Sequence, residues 1–528
     1  MVDPPPLTAL IGKDTASIGE LLAARVARTP DSPFIRCAGR CWTYAEAWDA
    51  ARRFAGFLQA HGLAGQRITA FLPKSPEALF SWFGASLSGG VWVALNRAHR
   101  GAVLKDLLDR ARARLLVTDR DGWQIIGPLL PPEMTQVLFT DEVPDDLAPS
   151  VRALHWASVL NAAPAEPVAC APGSVATLLY TSGTTGRSKG VLLPHTMYVR
   201  GAGWLVDSYG FRVGDVFHDW MPLSHIGGQL HVTMTAIVAG ACLAQVPAFS
   251  RRSFWDEVRG NGATAFFGFS SILALLLEAP AGPDDRNHAL RVGLIGSMPA
   301  EVLTAFERRF GVRLLDTYGM TECEPLTLPV PGTPPGSCGW PSPDFKVAVL
   351  DQEDRPLPAG AAGRICMRPR RPFVMMLGYE ADPEATVEAW RNLWFHTADR
   401  GRFDAEGFLH FIDRMKYAIR RGGENISTSE VERVFLSHPE LAACAAVGVP
   451  DTVMGEEVKL IAVPRPGSDV HPVDLHAYAL THMAAFMVPR YIELTGALPY
   501  TDVGKLKREE LTGTGGRVWD ARAATGPK

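Results

Sequence analysis

Three features of the 528-residue sequence point to an α/β architecture. Apolar strand-like runs alternate with amphipathic helical ones from Arg67 to Thr118 and again from Ala176 to about Leu315, as in a wound α/β sheet. Short strands broken by Gly and Pro fill Thr333 to Phe411, which suggests a β-rich subdomain. After Arg414 the texture changes once more, and roughly a hundred residues remain, enough for a small α+β domain. The expected organisation is a large N-terminal domain over 1–413, a hinge at 414–416 and a small mobile domain over 417–528.

The elements follow in order. Thr43 and Glu46 have capping-box spacing, and Ala47, Trp48, Phe54, Phe57 and Leu58 follow before Gly62, which predicts an amphipathic helix. Next come an apolar run from Arg67 to Leu72, a helix from about Pro76 to Leu87, a strand from Val91 to Leu95, a helix from Val103 and a strand from Leu115 to Thr118. Asp121 to Pro172 is proline-rich and weakly periodic, so surface excursions are expected there. Near the end, Ser427 and Glu430 repeat the capping-box spacing ahead of a helix to Leu436, with strands near Ala443–Val449 and Val458–Val463.

Composition excludes several classes. With 47% hydrophobic and 20% charged residues the chain is neither disordered nor fibrous. The balance of 52 basic against 56 acidic side chains provides no global field for nucleic acid or anionic lipid. Eight cysteines, with Cys37 and Cys41 lacking CxxC spacing, read as reduced, buried thiols. The first residues carry an early acid and a proline run, so a cytoplasmic protein is expected. Trp220 to Ser250 holds no Asp, Glu, Lys or Arg, but its prolines and glycines make it buried core, not a membrane span.

Chemistry is concentrated in a few segments. TSGTTGRSKG, Thr181 to Gly190, follows a strand-like run and precedes another; its glycines can present backbone N–H groups, its hydroxyls add donors and Lys189 adds positive charge, a phosphate cradle outside the Walker spacing. YGMTE places a hydroxyl at Thr321 and a carboxylate at Glu322, suited to phosphate and Mg²⁺. WFHTADRG contributes Asp399, a carboxylate able to accept from both hydroxyls of a ribose, and DRMKYAIRRGGENISTSEVE follows with Arg414 at its head. PYTDVGKLKR presents Lys505 after a glycine, where an ammonium can meet developing negative charge. The arginines Arg110, Arg112 and Arg114 read as a solvated helix end, and Arg420 and Arg421 as candidates for the phosphates of a thiol cofactor.

These five motifs, in this order from about Ser17 to Leu511, resemble the adenylate-forming superfamily of acyl-CoA synthetases, aryl-CoA ligases, adenylation domains and beetle luciferases. The resemblance implies that ATP and a carboxylic acid form an acyl-adenylate and pyrophosphate, after which coenzyme A takes the acyl group. It implies that Thr181, Ser182, Gly183, Thr184, Thr185, Gly186 and Lys189 hold the β- and γ-phosphates, with Glu322 on Mg²⁺ and Thr321 by the α-phosphate. Tyr318 and Gly319 would flank adenine opposite the Gly296-Ser297-Met298 turn, Asp399 and Arg414 would take the ribose, and Lys505 would reach the α-phosphate and substrate carboxylate. His225 matches a position at the mouth of the acyl pocket; Ile226, Gly228, Phe267, Phe269, Met298 and Thr317 are further lining candidates, mostly apolar, with glycines leaving space. A bulky hydrophobic or aromatic acid is therefore expected.

Two departures stand out. The usual TGD is TAD here, so Ala398 replaces a glycine, and Lys416 at the hinge position is followed by Tyr417 instead of an acid. Both leave adenylation expected and bear on the thioester-forming step. The alternative is adenylation alone, with the acyl group passed to a carrier protein or partner enzyme. No carboxylate between Leu223 and Gln229 could pair with an α-ammonium, which disfavours amino-acid activation.

Overall fold

The computed structural model describes residues 17–522 apart from Asp146 and the segments 182–187, 297–299, 415–418, 422–423, 427, 452–453, 484, 502–503, 505 and 514–517. The chain divides into two compact units, residues 1–347 with 367–395, and residues 348–366 with 396–528.

Two mixed sheets build the first unit. One orders its strands Arg313–Thr317, Val292–Gly296, Ala265–Phe269, Val216–Asp219, Cys242–Gln245, Pro33–Cys37 and Arg40–Thr43, parallel up to the last pair. The other runs Gly378–Tyr379, Lys189–Pro194, Val175–Thr181, Val91–Ala94, Arg67–Phe71, Leu115–Thr118, Gln136–Phe139 and Arg152–His155. Its last two strands arise in the stretch expected to wander over the surface. They pair in parallel register, and Val137, Leu138 and Phe139 are fully buried, so the sheet continues where sequence periodicity is too short to show it.

Local chemistry explains the helices. Ile18–Arg28 and Tyr44–Ala60 both start in full capping boxes, Ser17 with Glu20 and Thr43 with Glu46, which satisfy N–H groups left over at the first turn. Pro76–Leu87 starts from the Ser75 cap and is buried on nearly every side, because all its residues but Glu77 are apolar or small. The uncharged stretch is core from Trp220 to Val246, largely as expected, while Pro247 and Ala248 are exposed, and no helix among the described residues is long and apolar enough to cross a membrane.

In the second unit, a hairpin within Trp394–Phe403 and Leu409–Arg414 pairs Asp399 with Arg414. Beyond it, Thr428–Leu436 and Pro472–His482 cover a sheet whose core includes Ile419, Val431, Phe435, Val458, Leu460 and Ile492. Cys242, Cys323, Cys338, Cys366 and Cys444 are buried free thiols, as expected; Cys41 is exposed and Cys37 and Cys170 are half-buried.

Candidate active site

Three expected site residues end neighbouring parallel strands. Phe269 pairs with Gly296, and Gly296 with Thr317, so the three stand in a row at the carboxyl edge of the seven-stranded sheet, where open α/β sheets bind ligands. The segment after Thr317 turns back at once. Tyr318 is buried; its N–H donates to Thr327 Oγ1 at 2.9 Å and its carbonyl accepts from Leu326 and Thr327. Met320 and Cys323 then form a bridge that presents Thr321, half-buried, and Glu322, buried. The Thr317 hydroxyl donates to the Thr327 carbonyl at 2.6 Å, so this residue sits in the row with its polar atom already engaged.

The second sheet supplies the stem of the expected phosphate cradle. Thr181 and Lys189 pair across an antiparallel hairpin, and the turn between them, Ser182 to Gly186 included, lies outside the described residues. Lys189 Nζ stands 4.6 Å from the centre of the Tyr379 ring, and the Tyr379 hydroxyl donates to Glu322 Oε1 at 2.8 Å. One tyrosine thus joins the motif lysine to the motif carboxylate. Burial first, and the Glu322 carboxylate second, push the Tyr379 hydroxyl well above its ordinary range, so it stays protonated as the donor. The Tyr379 backbone is fixed in turn: Gly378 and Tyr379 pair with Leu192 and Val191, and Met376 N–H donates to the Glu322 carbonyl at 2.8 Å.

Tyr379 was not singled out from the sequence, because Gly-Tyr in an apolar run carries no motif. Arg110 corrects an expectation. Its side chain is only 17% exposed, donates to the Ser188 carbonyl at 2.7 Å and lies over Tyr180 at 5.1 Å, bracing the cradle stem instead of facing solvent. Arg67 adds to this brace through Glu380 at 2.9 Å, whose own N–H donates to Gly190. Arg421 is likewise engaged within the protein, at 2.6 Å from the buried Glu457 carboxylate and donating to the Phe486 carbonyl at 2.8 Å.

The acyl-pocket candidates gather at the same sheet edge. His225 meets Phe269 edge-on at 5.7 Å, and Phe269 meets Phe267 at 5.2 Å. His225 Nδ1 accepts the Gly227 N–H at 2.9 Å, which orients the ring, while Ile226 is buried. Gly228 does not open space as expected: a Cβ there would lie 2.4 Å from the Pro222 carbonyl oxygen, so the glycine permits backbone packing.

In the second unit, Asp399 is buried opposite Arg414 by strand register. Ala398 takes φ of 61°, a left-handed conformation that explains why glycine suits this position in the resembled family. Lys505, Lys416, Ser297 and Met298 lie outside the described residues. A single buried carboxylate, Glu322, held from one side by a hydroxyl, fits a Mg²⁺ ligand, since that ion is commonly bound by one or two carboxylates together with substrate phosphates.

A two-sheet large unit with a glycine- and hydroxyl-rich hairpin, and a second unit in which Asp399 pairs with Arg414, is the arrangement expected of a nucleotide-using acid-activating enzyme. The family profile described as AMP-binding enzyme matches residues 22–380, and that of the AMP-binding enzyme C-terminal domain matches 430–505. The chain is 32% identical over 485 residues to crotonobetaine/carnitine–CoA ligase of Citrobacter koseri, covering 89% of this chain and 93% of that protein. Among solved structures, ATP-bound MatB from Rhodopseudomonas palustris superposes with a TM-score of 0.84 at 26% identity, covering 94% of this chain and 98% of that one. A benzoate CoA ligase from Burkholderia xenovorans shares the fold with a TM-score of 0.83 at 20% identity, covering 94% of this chain and 100% of that one. The chain belongs to the AMP-binding enzyme family and is an AMP-forming enzyme of the acyl-CoA ligase type.

Proposed function

We propose that the enzyme activates a carboxylic acid with a largely apolar body and transfers it to coenzyme A in the cytoplasm. The observation that carries the site assignment is the Lys189–Tyr379–Glu322 assembly beside the strand ends at Phe269, Gly296 and Thr317. In the first step an oxygen of the substrate carboxylate attacks the α-phosphorus of ATP, and the bond to the pyrophosphate oxygen breaks. Carboxylate and phosphate repel one another, so the protein's work is alignment and charge neutralisation. Lys189 and the cradle Thr181 to Gly186 hold the β- and γ-phosphates; Thr321 donates near the α-phosphate; Lys505 meets the charge that develops there. Glu322, kept in place by Tyr379, is the carboxylate that would hold Mg²⁺, which when bound neutralises phosphate charge. Asp399 and Arg414 take the ribose, Tyr318 and Gly319 the adenine, together with the turn from Gly296 to Met298.

In the second step the CoA thiol, losing its proton, attacks the acyl carbonyl; the thioester forms as the bond to AMP breaks. The hinge at 414–416, with Lys416 as pivot between 1–413 and 417–528, would carry the change between steps. His225, Phe269 and Phe267, which touch in series, contribute to the acyl pocket together with Ile226 and Thr317. Of the proteins named above, one is a crotonobetaine/carnitine–CoA ligase and another a benzoate CoA ligase.

Acid-dependent ATP–pyrophosphate exchange, screened over acids of different shape and followed by product analysis with and without CoA, tests this reading. Exchange plus acyl-CoA is expected. Exchange without thioester would favour transfer to a carrier protein or partner enzyme, and no exchange with any acid would overturn the assignment.

A further inference from the structure

His231 and Glu324 lie 93 residues apart in sequence and meet in the core, with His231 Nε2 at 2.9 Å from Glu324 Oε1 and both side chains 5% exposed. When Nε2 carries the hydrogen facing the carboxylate and the ring holds no second one, Nδ1 is an acceptor. That Nδ1 is buried and has no hydrogen-bond partner among the described residues. An acceptor left in this state is costly, and native proteins seldom tolerate it without a purpose or a missing partner.

The pair adjoins the acyl-pocket candidates. The His231 ring is 4.5 Å from Phe267, which is 5.2 Å from Phe269, which meets His225 at 5.7 Å. A chain of aromatic contacts therefore leads from the strand-end row inward to the imidazole. Glu324 reaches the same place from the YGMTE side: a Cβ on Gly319 would fall 2.4 Å from Glu324 Oε1, so the carboxylate is tucked against that glycine. The helix that carries His231 is itself unusual, a π-helix over Gly227–Met234, a form concentrated at functional sites. Its wide turn is held by Thr233 and Thr235, whose hydroxyls donate five residues back to Gly228 at 2.8 Å and Leu230 at 2.9 Å.

We propose that His231 and Glu324 form a distal specificity subsite of the acyl pocket, selecting a carboxylic acid that carries a hydrogen-bond donor, a hydroxyl or an amine, at the end remote from its carboxylate. The proposal rests on the ligase reading and narrows its substrate class from an apolar acid to one with an apolar body and a polar tip. The Nδ1 acceptor takes the donor's hydrogen, and the Glu324 charge favours that donor and repels a second carboxylate. A site built to satisfy a buried polar group rejects the analogue that leaves it unpaired far more strongly than a hydrophobic pocket rejects a changed methylene.

The test is ATP–pyrophosphate exchange by the full chain with two matched series. One is hexanoate, its ω-hydroxy and ω-amino derivatives and the dicarboxylate of that length; the other is para-methyl-, para-hydroxy- and para-aminomethylbenzoate with the para-dicarboxylate. The wild type should favour the hydroxyl or amino acid over its hydrocarbon match by about 10-fold or more in kcat/KM, with the dicarboxylate poorest. His231→Phe should reverse the hydroxyl-to-hydrocarbon preference, and Glu324→Gln should lower the amino-to-hydroxyl ratio, both with KM for ATP unchanged. Equal kcat/KM across each series, a preference for the hydrocarbon, or an equal loss for every acid in a soluble variant would overturn the subsite while leaving the ligase reading intact. No exchange with any acid, in these series or the wider screen, would overturn both. The wild-type series decides the matter even if His231→Phe fails to fold.

Discussion

Tyr379 shows how one side chain without a motif can organise two that have one. Its hydroxyl holds the Glu322 carboxylate at 2.8 Å and its ring lies beneath Lys189. Tyr379→Phe keeps the ring and removes only a bond to a charged acceptor, worth about 1.5–3 kcal/mol. KM for Mg·ATP should rise about 10-fold or more while KM for the acid stays put, measured by exchange kinetics. Equal shifts in both constants would mean Tyr379 acts on general packing. Ala398 offers a different test. With φ of 61° it pays for a left-handed backbone that glycine adopts freely, and its side chain is exposed, so no packing is lost on removal. Ala398→Gly should therefore raise the melting temperature slightly, by an amount corresponding to about 1 kcal/mol or less; a fall would show that the methyl has a favourable contact.

Between elements, buried histidines make stability depend on pH. His195, at the start of the helix His195–Tyr209, accepts the Ile18 N–H through Nδ1 at 3.4 Å, joining two helices. Burial lowers its pKa to about 4, and burial with help from Lys74 lowers that of His218, on the strand Val216–Asp219, to about 4 as well. Both are neutral in the fold and ordinary when unfolded. The unfolded chain thus binds more protons between pH 6.5 and 4, so the stability they contribute is complete above about 6.5 and lost as pH falls through 4. Melting temperature should drop across that window, and His195→Gln should flatten part of the slope; an unchanged slope would remove His195 from the account. The π-helix gives a second expectation. Gly228→Ala drives a methyl to within 2.4 Å of the Pro222 carbonyl, so the loop carrying His225 must shift. KM for the acid should rise more than KM for ATP.

For the molecule as a whole, two substitutions should separate the two steps proposed above. Lys505→Ala should slow adenylation by about 100-fold or more while ATP binding changes little, because in the proposed mechanism the ammonium serves transition-state charge. Thioester formation from supplied acyl-adenylate should persist, and an equal loss in both steps would remove Lys505 from the chemistry. Lys416→Pro should do the reverse, locking φ at the proposed pivot so that pyrophosphate release continues and CoA-ester formation falls. Single-turnover assays with and without CoA measure both.

Most of the strand and helix order was legible in the linear chain, since hydrophobic period and capping chemistry act over a few residues: Tyr44–Ala60, Pro76–Leu87 and Leu115–Thr118 lie where their patterns place them. Lys189, Glu322 and Asp399 stand out in the linear chain for a similar reason, because each lies in a short run whose glycines, hydroxyls and charges are close together in sequence. The two strands within 121–172, the brace from Arg110 to the cradle stem, the link through Tyr379 and the meeting of His231 with Glu324 do not. Each depends on side chains or backbones brought together by sheet register and packing across tens to hundreds of residues. A lone arginine, tyrosine or histidine has the same local signature whether it faces solvent or a buried carboxylate, and only burial at a particular partner gives it a role.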